Sequence, residues 1–455
     1  MKKDILSKIL SSTYQWIEYK KNNIPLNYFK NKIIKSNNCF ENALKKKPAF
    51  ILECKKSSPL NGIIRKNYNI SQIISIYNKY ADVISVITEE KYFHGNFQYL
   101  LQARKQTKKP LLCKDFFIDP YQVYYARYHQ ADAILLMLSI LDDDTYRKLS
   151  DVAKSMNLGI LTEVHTLEEL KRALYLNATV IGINNRNLNN LSVSIKNTEI
   201  IAPLIPRNKI IICESGIQSY QEIRKLSKIV HGFLIGTYLM RSKDLELRVR
   251  KIIYGDNKIC GLTDKNSAKS AKKYGCIYGG LIFVSHSLRN VTDLQAEKII
   301  TNSSLNYVGV FCNSNYKYIL TKVKKFNLYA VQLHGLEDRT FIKRLRKYLP
   351  ENVRIWKSIS VNKDTVIKKN KYIDRYVLDN ESGGTGKMFD WNLTKKFNVS
   401  NMMLAGGLTL HNTFLASTLG FKGLDFNSGL EKSPGLKDSK KIKSIFEILR
   451  FYLKK

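Results

Sequence analysis

A chain of 455 residues with 44% hydrophobic and 25% charged side chains is long enough for two ordinary domains and apolar enough to bury a core in each. Its net charge of +37 invites a polyanion, but the lysines are spread along the whole length among Asn and Ile. With no basic tail, zinc-finger spacing or aromatic-basic signature, a nucleic-acid partner is not expected. Seven scattered cysteines without a CxxC pair speak against a disulfide framework or a zinc site, and the strongest apolar run, 133–141, is too short to span a bilayer.

Residues 5–20 read as an amphipathic helix rather than a signal peptide. Eight short apolar, β-branched runs follow, at 49–55, 82–88, 110–115, 132–138, 158–164, 179–185, 209–214 and 232–236. Polar-amphipathic segments separate them, which is the pattern of βα units on a parallel sheet covered on both faces. The pattern then restarts, with runs at 258–262, 279–284, 307–312, 330–334, 354–359, 375–379, 401–405 and 423–427. Eight units twice over predict an α/β fold of two consecutive (β/α)8 TIM barrels, residues 1–255 and 256–455.

In such barrels chemistry sits at the C-terminal ends of the strands. In the first half those ends read Glu53-Cys54-Lys55, Cys113-Lys114-Asp115, Thr162-Glu163-Val164, Asn184-Asn185-Arg186, Glu214-Ser215-Gly216 and Gly236-Thr237. A Lys or Glu at one strand end is ordinarily a solvated loop residue. Several converging on one rim make a cup of proton donors and acceptors. Ser215-Gly216 and Gly236-Thr237 follow the seventh and eighth strands, where backbone N–H groups commonly hold a phosphate.

With Glu53-Cys54-Lys55-Lys56-Ser57-Ser58-Pro59 at the first strand, these stretches resemble indole-3-glycerol-phosphate synthase over roughly 1–255. The resemblance implies that Lys114 is the general acid at the substrate ketone, that Glu163 and Lys55 serve the dehydration, and that Glu53 supports the lysines while Asn184 positions the substrate. It implies that Ser58, Ser215, Gly216, Gly236 and Thr237 grip the phosphate, that Arg186 and Glu214 also bind substrate, and that the N-terminal helix partly covers the pocket. Leu60 stands where the family has a small polar residue.

The second half opens Lys258-Ile259-Cys260-Gly261-Leu262-Thr263, so its first strand ends on a cysteine. Its sixth strand ends at Asp379, before the glycine cluster Gly383-Gly384-Thr385-Gly386. Two more small-residue loops follow, at Gly406-Gly407 and at Asp425 through Ser428-Gly429. Three such loops on adjacent strands suit a phosphate. A thiolate and a carboxyl on opposite sides of a sugar can isomerise an aldose to a ketose.

Together with Gln332-Leu333-His334-Gly335 and Gly429-Leu430-Glu431, this half resembles phosphoribosylanthranilate isomerase over roughly 256–455. By that resemblance Cys260 is the general base and Asp379 the general acid of an Amadori rearrangement. Arg289 meets the anthranilate carboxylate, with Leu288 in place of the family's usual proline. Gln332, His334, Gly384, Thr385, Gly386, Gly406, Gly407, Asp425, Ser428 and Gly429 line the substrate site. The two resemblances together imply a bifunctional tryptophan-biosynthesis enzyme, a lyase joined to an isomerase. It is expected to be a cytoplasmic monomer without metal or cofactor, whose partners are small phosphorylated anthranilate-sugar substrates and neither nucleic acid nor membrane.

Overall fold

All sixteen apolar runs form strands of two closed parallel barrels, each in its own compact unit. The structure is a computed structural model that describes residues 5–46, 48–187, 192–380 and 386–451. Barrel strands are numbered β1–β16 below.

The first barrel comprises β1 (Ala49–Cys54), β2 (Val83–Ile87), β3 (Leu111–Lys114), β4 (Ala133–Met137), β5 (Gly159–Val164), β6 (Val180–Asn184), β7 (Ile210–Glu214) and β8 (Gly232–Ile235). Each strand pairs in parallel with its neighbour in sequence, and β1 closes the ring on β8 through Ala49 opposite Gly232. Every residue of β1, β2, β4, β6 and β8 is buried, as it must be where helices cover one face and the barrel interior lies on the other. Ile51, Val83, Leu112, Leu135, Leu161, Val180, Ile212 and Leu234 form one interior cluster.

The short helix Phe40–Leu44 closes the N-terminal end of this barrel. Phe40 and Leu44 are fully buried in the interior cluster, each stabilising by roughly 1.5–3 kcal/mol. Phe40 presses so close to the start of β5 that a Cβ on Gly159 would lie 2.5 Å from its own. The N-terminal helix Ile5–Asn23 buries Ile9, Thr13 and Ile17, one face at a four-residue spacing, and Trp16 stacks on Phe97 at 5.3 Å.

The second barrel comprises β9 (Lys258–Ile259), β10 (Tyr278–Ile282), β11 (Asn306–Phe311), β12 (Ala330–Leu333), β13 (Arg354–Ser360), β14 (Arg375–Asp379), β15 (Met403–Leu404) and β16 (Gly423–Phe426). β9 and β15 are shorter than the runs that predict them. The chain leaves the ladder early there, at Cys260-Gly261 and Ala405-Gly406, where Gly261 and Gly406 take positive φ.

Its interior differs in kind. The large apolar cluster lies between the strands and their helices, with Ile259, Leu281, Phe311, Leu333, Leu378, Leu404 and Phe426 on that face. The alternate residues point inward. Near the strand starts these are Tyr278 and Trp356, in edge contact at 4.9 Å, and Arg375, whose guanidinium lies 5.0 Å from the Trp356 ring and 3.0 Å from Asp256. Among the described residues no helix is long and apolar enough to cross a membrane.

Candidate active sites

Side-chain alternation carries charge into the first barrel. A step of two residues along a strand keeps the same face. From the interior residues Ile51, Leu112, Leu161, Val180, Ile212 and Leu234, that step reaches Glu53, Lys114, Glu163, Gly182, Glu214 and Gly236; one step more reaches Lys55 and Asn184. Glu53, Glu163 and Glu214 are at most 2% exposed. Lys114 sits among them, its Nζ 2.7 Å from Glu214, 3.7 Å from Glu163 and 3.9 Å from Glu53. Lys55 pairs with the other oxygen of Glu53 at 2.6 Å. Asn184 donates to Glu163 Oε1 at 3.1 Å, and His165 Nε2 approaches the same oxygen at 3.4 Å.

Two strand-end glycines make room for this cluster. A Cβ at Gly182 would lie 2.0 Å from Glu214 Oε1, and one at Gly236 would lie 2.0 Å from Glu53 Oε1.

Three carboxylates face two lysines, so one carboxylate is in excess. Burial opposes ionisation of Lys114, but Glu214, Glu163 and Glu53 outweigh it and hold the ammonium above its ordinary range. Burial likewise opposes the Glu53 charge, and Lys55 and Lys114 overcome it, keeping Glu53 below the usual carboxylate value. Glu214 takes the excess: burial lifts it to about 7 against the pull of Lys114, and Glu163 adds to the rise. His165 is raised; burial works against its charge, and Glu169 and Glu163 prevail.

This cluster opens into a cavity of about 620 Å³, a size suited to a small ligand. Glu53, Lys55, Lys114, Glu163, Asn184 and Arg186 line it, together with Ser58, Ser215, Gly216, Gly236 and Thr237. Ile5, Leu6 and Ile9 of the N-terminal helix form part of its wall, as expected. Glu214, expected to touch substrate, is absent from the wall and grips Lys114 from behind. Arg241, Arg248 and Asp115 line the cavity without having been singled out. Arg241 and Arg248 lie beyond the last barrel strand, where no motif marks them.

In the second barrel Cys260 follows β9 and Asp379 ends β14. Between them lies a residue the sequence reading passed over. Lys258 is wholly buried, its Nζ 2.7 Å from Asp425 Oδ2. Its charge reaches Cys260, Asp379 and His334. His334 Nε2 lies 3.9 Å from Asp379 Oδ2. The signal was spacing: Lys258 stands two residues before Cys260 and therefore shares its face.

Asp425 and Gln332 also sit deeper than a substrate contact implies. Asp425 is buried against Lys258, and Gln332 donates to Ser358 at 3.1 Å. Burial raises Asp379, against its bond from the Asn380 N–H and the charge of Lys258. Burial also raises the Cys260 thiol, against Lys258, and burial lowers His334, with Lys258 adding to the effect.

The small-residue loops meet beside Asp379. Gly406 and Gly407 take φ of 82° and 61°, which glycine adopts without a Cβ penalty. A Cβ at Gly406 would lie 2.8 Å from Asp379 Oδ1, and one at Gly386 2.7 Å from Ser428 Oγ. Gly429 packs closer still, where a Cβ would lie 2.0 Å from the Leu408 carbonyl oxygen. Gly384 and Thr385 lie outside the described residues. Arg289 makes a bidentate pair with Glu431 and stands over Gly261, whose Cβ would come 2.7 Å from its Cδ. No group of three His, Cys, Asp or Glu side chains is arranged to hold a metal among the described residues.

Two closed barrels, each gathering acid–base groups and glycine-rich loops at its C-terminal rim, define an enzyme of two active sites for phosphorylated small molecules. Residues 6–252 match the family of indole-3-glycerol phosphate synthase, and residues 257–448 match that of N-(5'-phosphoribosyl)anthranilate isomerase. The chain is 53% identical to the tryptophan biosynthesis protein TrpCF of Buchnera aphidicola subsp. Diuraphis noxia, over 99% of this chain and 100% of that protein. It is 47% identical to the protein of the same name from Salmonella typhi, over 98% and 99%. A solved phosphoribosyl anthranilate isomerase from Thermus thermophilus aligns with 42% of this chain and 96% of its own, at 24% identity and a TM-score of 0.40. The chain belongs to the TrpCF family: it is a bifunctional enzyme of tryptophan biosynthesis with a synthase and an isomerase domain.

Proposed function

We propose that the second barrel isomerises N-(5-phosphoribosyl)anthranilate to 1-(2-carboxyphenylamino)-1-deoxyribulose 5-phosphate and that the first barrel converts this to indole-3-glycerol phosphate. Residues 1–255 and 256–455 are the two working units, a division supported by the family matches. In the isomerase, protonated Asp379 gives its proton to the sugar ring oxygen as the C1–O bond breaks, and the nitrogen lone pair forms an iminium. Cys260 as thiolate removes the C2 proton, and that electron pair becomes the C1=C2 bond of an enolamine. Ketonisation adds a proton at C1 and releases one from the C2 hydroxyl, so atoms balance without a redox partner. A carboxyl raised by burial suits the acid.

In the synthase, the anthranilate ring carbon attacks the C2 ketone while Lys114 protonates the oxygen. An alkoxide is more basic than an amine, so the transfer is downhill even from an ammonium that three carboxylates stabilise. Carbon dioxide then leaves and the ring regains aromaticity. Loss of the C2 hydroxyl together with a proton from C1, as water, completes the indole, served by Lys55 and Glu163, with Glu53 supporting the lysines and Asn184 positioning the substrate. Ser58, Ser215, Gly216, Gly236 and Thr237 hold the phosphate, with Arg186 beside it. Gly386, Gly406, Gly407, Ser428 and Gly429 do so in the isomerase, where Arg289 meets the anthranilate carboxylate.

The observation that carries this reading is the meeting of Lys55, Lys114, Glu53 and Glu163 on one cavity wall. The same reading makes the protein a cytoplasmic monomer with no nucleic-acid or membrane partner. The test is turnover of both intermediates, followed by loss of anthranilate fluorescence and gain of indole absorbance. Lys114→Ala should stop only ring closure, and Cys260→Ala or Asp379→Asn only isomerisation. Loss of both steps from any one change would refute separate sites.

A further inference from the structure

A fully buried lysine needs a reason, because removing an ammonium from water is costly unless other groups answer it. Lys258 has two. Its Nζ is 2.7 Å from Asp425 Oδ2, and the Cys260 side chain lies on the same face two residues further along the chain. Space for this arrangement comes from β10. A Cβ at Gly280 would lie 2.9 Å from Cys260 Sγ and 3.0 Å from Lys258 Cε, so the lysine stem and the thiol pack side by side against bare backbone.

Cys260 faces charge from four elements: Lys258 from β9, Asp425 from β16, Lys437 from the hairpin at Glu431–Lys437, and Arg289 from the loop after β10. Arg289 and Lys437 are bound to Glu431, at 2.7 Å each. Asp425 Oδ2 takes Lys258, and its buried Oδ1 has no hydrogen-bond partner. Lys258 is therefore the cation placed to answer a negative sulfur, and Asp425 fixes where that cation stands.

We infer that Lys258 is a positioning residue that stabilises the thiolate of Cys260 as it forms for proton removal at C2, and that Asp425 sets the lysine's place. This deepens the reading of Cys260 as the base and rests on it. Burial raises the thiol, with Asp425 adding to the rise, and Lys258 is the main influence against them. An ammonium whose stem packs beside the sulfur works in the opposite direction.

The test uses the full chain carrying Lys258→Met, Lys258→Arg or Asp425→Asn. Isomerisation is followed by anthranilate fluorescence, and iodoacetamide labelling of the Cys260 peptide is quantified by mass against pH. Lys258→Met should lower kcat about a hundredfold with little change in KM, and should move the labelling midpoint up by about one unit or more. Lys258→Arg should restore much of both. Asp425→Asn keeps an oxygen that can accept from Lys258 and removes a carboxylate that opposes the thiolate, so it should move the midpoint the other way. A Lys258→Met protein that loses thermal stability but labels with an unchanged midpoint would overturn the inference, leaving the pair structural. If Lys258→Met does not fold, Lys258→Gln decides: a midpoint no higher than the parent's overturns it. Isomerisation surviving in Cys260→Ala would instead remove the reading of the base.

Discussion

Arg289 and Glu431 meet through two parallel hydrogen bonds, Nε to Oε1 at 2.9 Å and Nη2 to Oε2 at 2.7 Å. The same carboxylate accepts Lys437 at 2.7 Å. Burial opposes the Glu431 charge, but Arg289 and Lys437 outweigh it and draw its pKa down to about 2. A carboxyl lowered in the fold contributes stability above its ordinary value near 4.5, and that stability is lost only as pH falls toward 2. The clamp on Arg289 is thus fully charged at any working pH.

Releasing that clamp should cost binding rather than chemistry. Glu431→Gln leaves Arg289 without its bidentate partner, and Arg289→Ala removes the guanidinium itself. Both should raise KM for isomerisation, Arg289→Ala by about tenfold, which is ~1.4 kcal/mol, and Glu431→Gln by less. Neither should alter ring closure. Steady-state kinetics on each intermediate checks this; a fall in kcat with KM unchanged would mean that Arg289 acts on the reacting atoms.

Asp115 makes a prediction about pH. It follows Lys114 at the cavity wall and accepts from the Thr88 hydroxyl and the Phe116 N–H. Burial nevertheless lifts its carboxyl from 3.8 to about 7, the two hydrogen bonds holding it back in part. A carboxyl raised in the fold contributes stability that is complete below 3.8 and is lost as pH rises through 7. Asp115→Asn removes that ionisation. The first barrel should melt several degrees higher than the parent at pH 8, at about 2–4 °C per kcal/mol, and nearly level with it at pH 4. Melting curves across that range test this; a gap that widens toward acid would show the wrong sign.

The fold was legible because each strand of a covered barrel must be apolar on both faces, and sixteen such runs stand apart in the chain. The rim of the first barrel was legible for the same reason: Glu53, Lys114 and Glu163 break apolar runs at their ends. Depth was harder to read. Glu163 and Glu214 both stand at or next to the end of a strand, yet Glu163 lines the cavity and Glu214 braces Lys114. What separates them is contact across the barrel, which no local pattern carries. Lys258 was hidden by position, since a lysine that opens a strand reads as solvated. Only the two-residue step to Cys260 points inward.

Gly182 is where such cross-barrel contact can be tested. It lies inside β6, where glycine ordinarily weakens a strand, so its place here reflects the close approach of another group. That group is Glu214: a Cβ at Gly182 would come 2.0 Å from Oε1 and 3.1 Å from the carboxyl carbon, with Leu161 Cδ1 also at 3.1 Å. A carboxylate moved aside there would shift from Lys114, which its other oxygen holds at 2.7 Å. Gly182→Ala should therefore cost about 1–3 kcal/mol of stability in the first barrel. It should also slow ring closure by tenfold or more as Lys114 loses its brace. Glu214→Gln should slow ring closure too while leaving the packing intact, so the two variants share a kinetic defect and differ in thermal midpoint. Isomerisation should proceed at the parent rate in both. If Gly182→Ala melts early yet closes the ring at full speed, the bond between Glu214 and Lys114 has no part in placing the lysine.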